Sequence, residues 1–333
     1  MGDAAYVPRV DIYAPNTNLD EYYRWGSMTS VSRSNGVVAV RIKSGVLSWP
    51  SGQTQEKYCV EPGLYSGIIL AYSIENGEPL ALMQDGYLQH MRVGGTAGIG
   101  TDHLARRDSR RLGILGSGGM ARTYLDSIRH VRELDQVSVF SPTAAHREAF
   151  AREVTSRYSI NVEAVNTAEE AVRDMDIVAT CTDSIVPTFE GGWLAPGTHI
   201  VTLSNKEIGG KVLEKADVII ESGYPTLVGE SEPGMTHEVV GAIASYVIGQ
   251  PDERARVPRS SRVHRSAFPV LFPYGDPEGT RGRTSEEQVT LFFNNGTQGL
   301  QFASVAGSVY RLATEKRFGA SIPLDWFLQD IRD

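Results

Sequence analysis

The residues whose types and spacing could most directly do chemistry form a glycine-rich turn, Gly-Ser-Gly-Gly-Met-Ala, at positions 116–121. Gly116 can adopt the backbone angles of a tight turn, and Gly118 leaves room for a phosphate to approach the backbone. Ala121 allows the helix that follows to pack closely on a sheet, and the first amides of that helix can bind an anion. The pattern therefore predicts a site for the pyrophosphate of a dinucleotide. The residues assigned to this site are Gly116, Ser117, Gly118, Gly119, Met120 and Ala121.

The sequence on either side of this turn fits a strand, a helix and a second strand in succession. An apolar run ends at 115, a helical pattern covers 120–131, and a second apolar strand is predicted over 136–140. A glycine-rich turn inside such a unit is typical of Rossmann folds that bind dinucleotides, whereas the glycine pattern alone is common in ordinary turns. The context therefore favours a cofactor site over a plain structural turn.

The residues after the second strand bear on the choice of cofactor. An acidic residue at this place would bind the ribose hydroxyls of NAD, and none is present. Ser141, Thr143 and Arg147 stand there instead, and their hydroxyls and positive charge favour the 2′-phosphate of NADP, with NAD as the alternative. Arg147 could also simply be solvated on its helix.

Hydroxyl side chains at or near the ends of two later predicted strands are further candidates for cofactor binding. Thr180 and Thr182 lie at the end of the strand predicted over 176–181, and Ser204 follows the strand predicted over 198–203. Ligands bind at the carboxyl edge of parallel sheets, so these hydroxyls could contact a cofactor. The alternative is that they only cap backbone groups where the strands end.

The wider pattern of elements indicates how these residues are positioned. From about 108 to 295, predicted strands alternate with predicted helices, as a doubly wound parallel sheet requires. The residues before this block show β-type alternation and an Asn-Gly turn signal at 76–77, which predict hairpin strands. Strands are also predicted over 37–42, 67–74, 79–84 and 217–221, and helices over 92–106, 168–173 and 298–318.

The last predicted helix is expected to return and pack with the first block, which makes the second domain discontinuous. We therefore predict an α/β fold in which a Rossmann domain, residues 108–296, is inserted in an α+β domain made of residues 1–107 plus 297–333. The segment 252–283 is interpreted as a surface insertion, either a solvated loop or a lid or subunit contact. Its closely spaced arginines are Arg254, Arg256, Arg259, Arg262 and Arg265.

Composition narrows the class of protein. The 333 residues are 41% hydrophobic and 22% charged, as in an ordinary soluble globular protein long enough for two domains. The net charge of -8 argues against binding nucleic acid or an anionic membrane, because no basic excess exists to neutralise phosphates. The chain shows no signal segment and no apolar run of membrane-spanning length, so a cytoplasmic protein is expected. Cys59 and Cys181 are far apart and lack metal-ligand spacing, which predicts buried thiols and no metal site.

Several short motifs, taken with their spacing, resemble the ornithine cyclodeaminase/mu-crystallin family over most of the chain. They include an Asp-Gly pair at 85–86, interpreted as a hairpin, then Arg92, and a Leu-Ala-Arg stretch that begins twelve positions after that arginine. The other matching pieces are Lys57, residues 112–118, 176–180, 196–200 and 290–292, and Gly296. The resemblance implies a homodimer formed by the domain built from both chain ends. It also implies an active site between that domain and the Rossmann domain.

The resemblance further implies which charged residues act on the substrate. The matching Lys57 and Arg92 would hold an α-carboxylate against the nicotinamide, and the lysine could also shuttle a proton. By residue type alone, either could be an ordinary surface charge. Arg41, on a predicted strand, is a third candidate for binding a carboxylate, and its alternative is an exposed strand charge.

Two positions depart from the family pattern. Where cyclodeaminases carry an aspartate that engages the distal amine of ornithine, an ungapped count places Lys206. A cation there would repel a diamine and could attract a second carboxylate, so Lys206 is a candidate substrate-binding residue. Gln301 stands at the place of a common family aspartate. Both differences argue against ornithine as the substrate.

Taken together, these features favour an oxidoreductase that uses NADP or NAD to reduce an imine derived from a small 2-oxo acid to an amino acid. The enzyme alternative is an ornithine- or lysine-type cyclodeaminase. The alternative from another class is a non-catalytic, NADP-dependent binding protein. The expected partners are a small imine or amino-acid substrate and a second copy of the chain, with no nucleic acid and no membrane.

Overall fold

The computed structural model describes residues 4–7, 9–222, 235–236, 244–258, 282–294 and 296–331. Its strands are β1 (Ala4–Tyr6), β2 (Val10–Pro15), β3 (Glu21–Ser32), β4 (Val37–Ser48), β5 (Glu56–Tyr58), β6 (Ser66–Ser73), β7 (Pro79–Gln84), β8 (Arg111–Leu115), β9 (Gln136–Phe140), β10 (Asn161–Ala164), β11 (Ile177–Thr180), β12 (His199–Thr202), β13 (Val218–Glu221), β14 (Met235–Thr236), β15 (Ala244–Val247) and β16 (Thr290–Phe293). Its helices are α1 (Gly86–Leu104), α2 (Gly119–Val131), α3 (Ala144–Tyr158), α4 (Ala168–Val172), α5 (Gly210–Lys215), α6 (Pro251–Ala255) and α7 (Gln298–Glu315).

One of the two sheets is parallel and carries the glycine-rich turn. In the described part of the chain its strand order is β10-β9-β8-β11-β12-β16-β13. The chain enters at β8, proceeds outward to β10, and then crosses to β11 on the other side, which is the doubly wound pattern. Strands β11 and β12 are buried at every position because the sheet is covered by packed side chains on both faces. The predicted α/β class is confirmed, with β8, α2 and β9 close to their predicted bounds.

The other sheet is mixed and is covered on one face by the C-terminal helix. Its described strands run in the order β14-β15-β2-β3-β4-β6-β7, with β1 beside β3 and β5 beside β4. Alternate residues of β3 and β4 are buried, as period-two alternation produces in a sheet with one covered face. Phe302, Ala303 and Ala306 of α7 pack there with Met28 and Ala39. The last helix therefore returns to the N-terminal sheet, as predicted.

Helix α1 connects the two sheets and packs unusually closely on α2. A Cβ added to Gly94 would lie 2.5 Å from the carbonyl oxygen of Thr123, and one added to Gly98 would lie 2.9 Å from the Cβ of Ser127. The small residues of α1 thus allow the close helix packing predicted for them. The helix begins at Gly86, six residues before its predicted start.

The Asp-Gly pair at 85–86 does not form the expected hairpin. Strand β7 ends at Gln84 and α1 begins at Gly86, so the chain passes directly from strand to helix. Asp85 has φ -85° and ψ -17°, which are helical angles, whereas a two-residue hairpin of this sequence needs positive φ. The physical reason is that the Asp85 carboxylate is held in the interior by Arg41.

Strand β15 departs from the predicted domain boundary. It lies within 108–296, yet it pairs in parallel with β2 of the mixed sheet. Val247 and Val257 pack with Tyr13 and Tyr22 of that sheet. The chain therefore leaves the parallel sheet after β13, adds to the mixed sheet, and returns as β16 between β12 and β13.

The arginine-rich segment is only partly described. Arg254 and Arg256 are exposed at the end of α6, and Arg256 donates to the carbonyl oxygen of Leu19 at 3.1 Å. Arg259, Arg262 and Arg265 lie outside the described residues. None of the helices in the described ranges is both long and apolar enough to cross a membrane.

Candidate active site

The glycine-rich turn links β8 to α2 at the carboxyl edge of the parallel sheet. Gly116 has a φ of +105°, and a Cβ there would lie 2.5 Å from the carbonyl oxygen of Cys181, so the position requires glycine. Gly118 is exposed, and a Cβ added to it would meet no atom within 4 Å. Its backbone is therefore open to the approach of a ligand.

The first turn of α2 fits the predicted anion site. Within the described residues, no side chain caps this helix, so the amides of Gly119 and Met120 are available to an anion. Ala121 is fully buried, which lets the helix lie close to the sheet. His90 of α1 lies against the same turn, because a Cβ on Gly119 would be 2.6 Å from its Cε1. The turn, the open backbone and the uncapped helix suit a dinucleotide pyrophosphate.

The residues expected at the adenosine end of the cofactor lie together at the end of β9. The hydroxyl oxygens of Ser117 and Ser141 are 3.0 Å apart. Arg147 donates to the carbonyl oxygen of Ser141 at 3.0 Å and to Oδ1 of Asn166 at 2.9 Å. Thr143 is exposed at the N-cap of α3. A cation and hydroxyls are thus placed where the sequence predicts them.

The hydroxyls of Thr180, Thr182 and Ser204 lie around a residue that the sequence analysis did not select, Glu207. The Glu207 carboxylate accepts from the Thr180 hydroxyl at 3.0 Å and from the Ser204 amide at 2.8 Å. It also accepts from the amide and hydroxyl of Thr182 at 2.8 Å and 2.6 Å. Burial raises the pKa of Glu207, although these donors act in the opposite sense. The hydrogen bonds between Glu207 and Thr180, Thr182 and Ser204 order the ends of β11 and β12. Contact of these three residues with a cofactor remains a prediction.

Residues 53–55, just before β5 of the mixed sheet, form a short antiparallel contact with residues 183–185, which follow β11 of the parallel sheet. The amide of Ile185 donates to the carbonyl oxygen of Gln53 at 2.8 Å, and the amide of Gln55 donates to that of Asp183 at 3.3 Å. Thr54 and Ser184 form an isolated bridge between them. Because β5 follows directly, this contact places its lysine next to the carboxyl edge of β11.

That lysine, Lys57, has a solvent-exposed side chain, although many protein atoms lie around it. Its Nζ is 4.9 Å from the centroid of the Tyr65 ring. The surrounding protein, together with Arg24 and Arg41, lowers the pKa of Lys57 to about 8, and Asp183 acts against this. No described carboxylate lies within salt-bridge distance of its ammonium group.

Arg92 projects from α1 and is half-buried. Its Nη1 donates to Oε1 of Gln301 at 2.8 Å, and its Nη2 donates to Oε1 of Gln89 at 3.4 Å. The guanidinium also lies over the Phe302 ring, 4.7 Å from the centroid. Burial and the nearby Arg41 lower the pKa of Arg92, but a guanidinium stays charged at neutral pH. Both polar partners are neutral amides, so they orient the positive charge without balancing it.

Arg41 is buried, so the alternative of an exposed strand charge is wrong. Its Nε donates to Oδ2 of Asp85 at 2.6 Å, and Nη2 pairs with the same oxygen. The guanidinium lies 5.4 Å from the centroid of the Phe302 ring, on which Arg92 also packs. Its charge is thus already balanced by a carboxylate, and binding of substrate by Arg41 remains a prediction.

Lys206 lies in the short 3-10 turn after β12 and is partly buried. Burial, followed by Arg9 and Arg24, lowers the pKa of Lys206 to about 8. The same two arginines lower the pKa of Lys57, so both ammonium groups lie within electrostatic range of them. Among the described residues, Lys206 has no salt-bridge partner.

A buried carboxylate, Asp11, holds this part of the mixed sheet together. It accepts from Arg9 Nη2 at 2.7 Å and from Lys43 Nζ at 2.9 Å. Burial alone would raise the pKa of Asp11, but Arg9 and Lys43 outweigh it and hold the pKa well below its usual value. Burial, with Arg24 and Arg9 nearby, lowers the pKa of Lys43.

Sequence reasoning missed several of these residues although two signals were present. Arg24 and Lys43 lie with the already selected Arg41 on the buried faces of β3 and β4, where strand alternation puts them in register with apolar residues. A charged residue at such a position indicates a buried ion pair. Glu207 completes a Ser-x-x-Glu capping box with Ser204, which is also readable in a sequence. His90 and Arg9 carry no comparable signal.

Several proteins of known name are similar to this chain. The Delta(1)-pyrroline-2-carboxylate reductase of Bacillus cereus is 27% identical over 264 residues, which cover 77% of this chain and 74% of that protein. The solved reductase of the same name from Thermococcus litoralis, in complex with NADH and L-proline, has a TM-score of 0.70 and 22% identity, covering 96% of this chain and 90% of that one. An archaeal alanine dehydrogenase dimer with bound NAD has a TM-score of 0.69 and 23% identity, covering 97% and 89%. These two solved structures share the fold.

A family model also matches the chain. The model is that of the ornithine cyclodeaminase/mu-crystallin family, and it matches residues 49–270. The match spans the glycine-rich turn as well as Lys57, Arg92 and Lys206, and it covers more than half of the sequence. The chain belongs to the ornithine cyclodeaminase/mu-crystallin family.

Proposed function

We propose that this protein is an NADP- or NAD-dependent oxidoreductase that reduces an imine derived from a small 2-oxo acid to the corresponding amino acid. The observation that carries the proposal is the placement of Arg92, a guanidinium whose polar partners, Gln301 and Gln89, are both neutral. Its guanidinium lies within electrostatic range of the Tyr124 hydroxyl of α2, the helix that begins at the dinucleotide turn. A cation in this position suits a carboxylated substrate held beside a nicotinamide.

The chemistry follows from this arrangement. A reduced nicotinamide dinucleotide, when bound, supplies a hydride with its two electrons to the imine carbon. Arg92 grips the substrate carboxylate through paired N–H groups, which fixes the orientation of the C=N bond. Lys57, whose pKa of about 8 leaves it mostly protonated at neutral pH, carries the proton that the imine nitrogen takes as the double bond becomes single.

Relatives with related chemistry support the proposal. The Bacillus cereus relative is named for the reduction of a cyclic imine that bears a carboxylate. For the cofactor, Ser141, Thr143 and Arg147 favour NADP, whereas the two solved neighbours hold NADH and NAD. Fluorescence titration with NADPH and NADH decides between them. Tighter binding of NADPH that weakens in Arg147→Ala supports NADP, and tighter binding of NADH overturns that choice.

The activity is tested by following reduced-nicotinamide absorbance with purified protein. The substrates are pyruvate, glyoxylate, oxaloacetate or 2-oxoglutarate with ammonia or methylamine, together with cyclic imines. We expect turnover whose kcat/KM falls at least about 100-fold in Arg92→Gln, since a charged hydrogen-bond partner of the carboxylate is lost. Cofactor binding without turnover on every substrate would instead indicate a non-catalytic binding protein. Ammonia release from ornithine or lysine without net cofactor consumption would indicate a cyclodeaminase.

We also propose that the protein acts as a homodimer. The residues after α7 carry large apolar side chains that the single chain leaves exposed: Phe318 is 84% exposed, Trp326 74% and Ile331 83%. Several exposed large apolar side chains within one short segment favour an interaction surface, and the archaeal alanine dehydrogenase with the same fold is a dimer. Light scattering on the full chain should give twice its mass of 36.4 kDa. The variant Trp326→Asp should shift that value toward a monomer, and a monomeric parent protein refutes the proposal.

A further inference from the structure

We propose that Lys206 binds a second carboxylate of the substrate, so that the preferred imine derives from a dicarboxylic 2-oxo acid. This inference rests on the proposed function and names its substrate class. Arg24, which lies within electrostatic range of both Lys206 and Lys57, adds to the positive potential around this second site.

The first argument is the distribution of carboxylates among the cations of the site. Asp85 balances Arg41, and Asp11 balances Lys43 and Arg9. Lys57, Arg92 and Lys206 have no such partner among the described residues. Partly buried cations that repel one another raise the free energy of the folded state, and a bound anion relieves that cost. One α-carboxylate occupies Arg92 and Lys57, which leaves Lys206 for another anion.

The second argument is the place of Lys206 in the sheet. The adenosine end of a dinucleotide lies over the side of the sheet that holds β9, where Ser141 and Arg147 are found. Lys206 follows β12, on the opposite side of β8 and beyond β11. That side faces the nicotinamide end, so a cofactor phosphate is not the natural partner of this ammonium group.

The third argument is that the position of Lys206 is well defined. The turn that carries it is fixed by a capping box, in which the Ser204 and Glu207 side chains bond to backbone amides. The Glu207 carboxylate itself is held by Thr180 and Thr182 at the end of β11. Lys206 therefore projects from an ordered turn at the carboxyl edge of the parallel sheet and not from a mobile surface loop.

A kinetic experiment tests the proposal. We compare imines formed from ammonia with pyruvate or glyoxylate, which carry one carboxylate, and with oxaloacetate or 2-oxoglutarate, which carry two. We expect kcat/KM to favour the dicarboxylic imines, and Lys206→Met to lower it about 10–100-fold for these alone, as expected for a lost charged contact. Lys206→Arg should restore most of the loss. An equal loss on both classes, or preference for one carboxylate in the parent protein, refutes the second site.

An equilibrium experiment distinguishes failure of this proposal from failure of the proposed function. Succinate and propionate differ by one carboxylate, and their binding to the protein with cofactor is measured by the shift in melting temperature. Succinate should stabilise the parent protein more than propionate, and this difference should vanish in Lys206→Met while NADH or NADPH affinity stays unchanged. No difference between the two acids overturns the site even if turnover is found. Weaker cofactor binding in Lys206→Met would assign the ammonium group to a cofactor phosphate and also overturn it.

Discussion

Replacing Gln301 by glutamate tests the proposal that Arg92 is oriented by its neighbours but keeps an unbalanced positive charge for the substrate. Gln301 Oε1 is 2.8 Å from Arg92 Nη1. The substitution Gln301→Glu keeps the shape of this contact and adds a negative charge. At a separation of about 4 Å and an effective dielectric constant of about 20, two unit charges attract by about 4 kcal/mol. The glutamate would then neutralise much of the positive charge of Arg92, which would attract the substrate carboxylate less strongly.

The expected effects on stability and on substrate binding have opposite signs. A charged hydrogen bond adds about 1–2 kcal/mol beyond a neutral one, so the free energy of unfolding should rise by about that amount. The substrate carboxylate must compete with the new one, and KM should increase about 10–100-fold, which corresponds to about 1.4–2.8 kcal/mol. Since Arg92 is proposed to hold the carboxylate throughout the reaction, kcat should change much less than KM.

The assay combines urea denaturation with steady-state kinetics on the best imine substrate. Gln301→Met serves as the matched control, since it removes the hydrogen bond but adds no charge. It should lower stability by about 1 kcal/mol and change KM less than the glutamate variant does. A glutamate variant whose KM stays within about twofold of the parent value, or whose stability falls, would show that Arg92 does not meet the substrate as an unbalanced charge.

Three further predictions concern the groups that support the site. Asp85→Asn leaves Arg41 buried without its carboxylate and should lower the free energy of unfolding by about 3–5 kcal/mol in urea denaturation; a loss under about 1 kcal/mol contradicts the buried pair. Gly116→Ala places a Cβ 2.5 Å from a carbonyl oxygen and should weaken cofactor binding at least about tenfold by fluorescence titration, and unchanged affinity contradicts the assignment of the turn. The pKa of Lys206 falls from 10.5 to about 8 on folding, so the folded chain releases this proton first and stability should gain a contribution as pH rises from about 8 to 10.5. Denaturation at pH 7.5 and 10 should show that gain in the parent protein but not in Lys206→Met, and equal pH dependence of the two contradicts the shift.

Much of the parallel sheet could be predicted from the sequence because its signals are local. The predicted strand over 136–140 matches β9, and the predicted helix over 120–131 matches α2 to within one residue. The turn between β8 and α2 is also local, since the need for glycine at Gly116 follows from a backbone angle that one residue type tolerates. Patterns of this kind depend on few contacts that are distant in the chain.

The pairings that cross long stretches of sequence could not be predicted. Strand β15 is four residues long and joins β2, which lies more than 200 residues earlier. Nothing in four residues specifies which sheet edge they extend, since register and partner depend on the assembled surface. The prediction of a hairpin at 85–86 is wrong because a contact between residues distant in the chain overrides the local signal. An Asp-Gly pair normally favours a turn, but here Asp85 is fixed by Arg41 across the sheet, and the helix starts immediately.

Within the candidate site, sequence reasoning identified cations more readily than the carboxylates that determine which of them are available. Arg41 and Arg92 are both candidate carboxylate-binding residues by sequence, and both pack on Phe302 in the structure. They differ because Asp85 lies against one and Gln301 against the other. Asp85 balances the charge of Arg41, and the two form a buried ion pair. Gln301 leaves the charge of Arg92 unbalanced, so an anion can bind to it. The same distinction separates Lys43, which Asp11 holds, from Lys206, which no described carboxylate holds. On the proposed function, substrate choice depends both on where the cations lie and on which of them have no buried carboxylate beside them. Replacing a neutral partner by an acidic one should therefore change substrate binding without moving any cation.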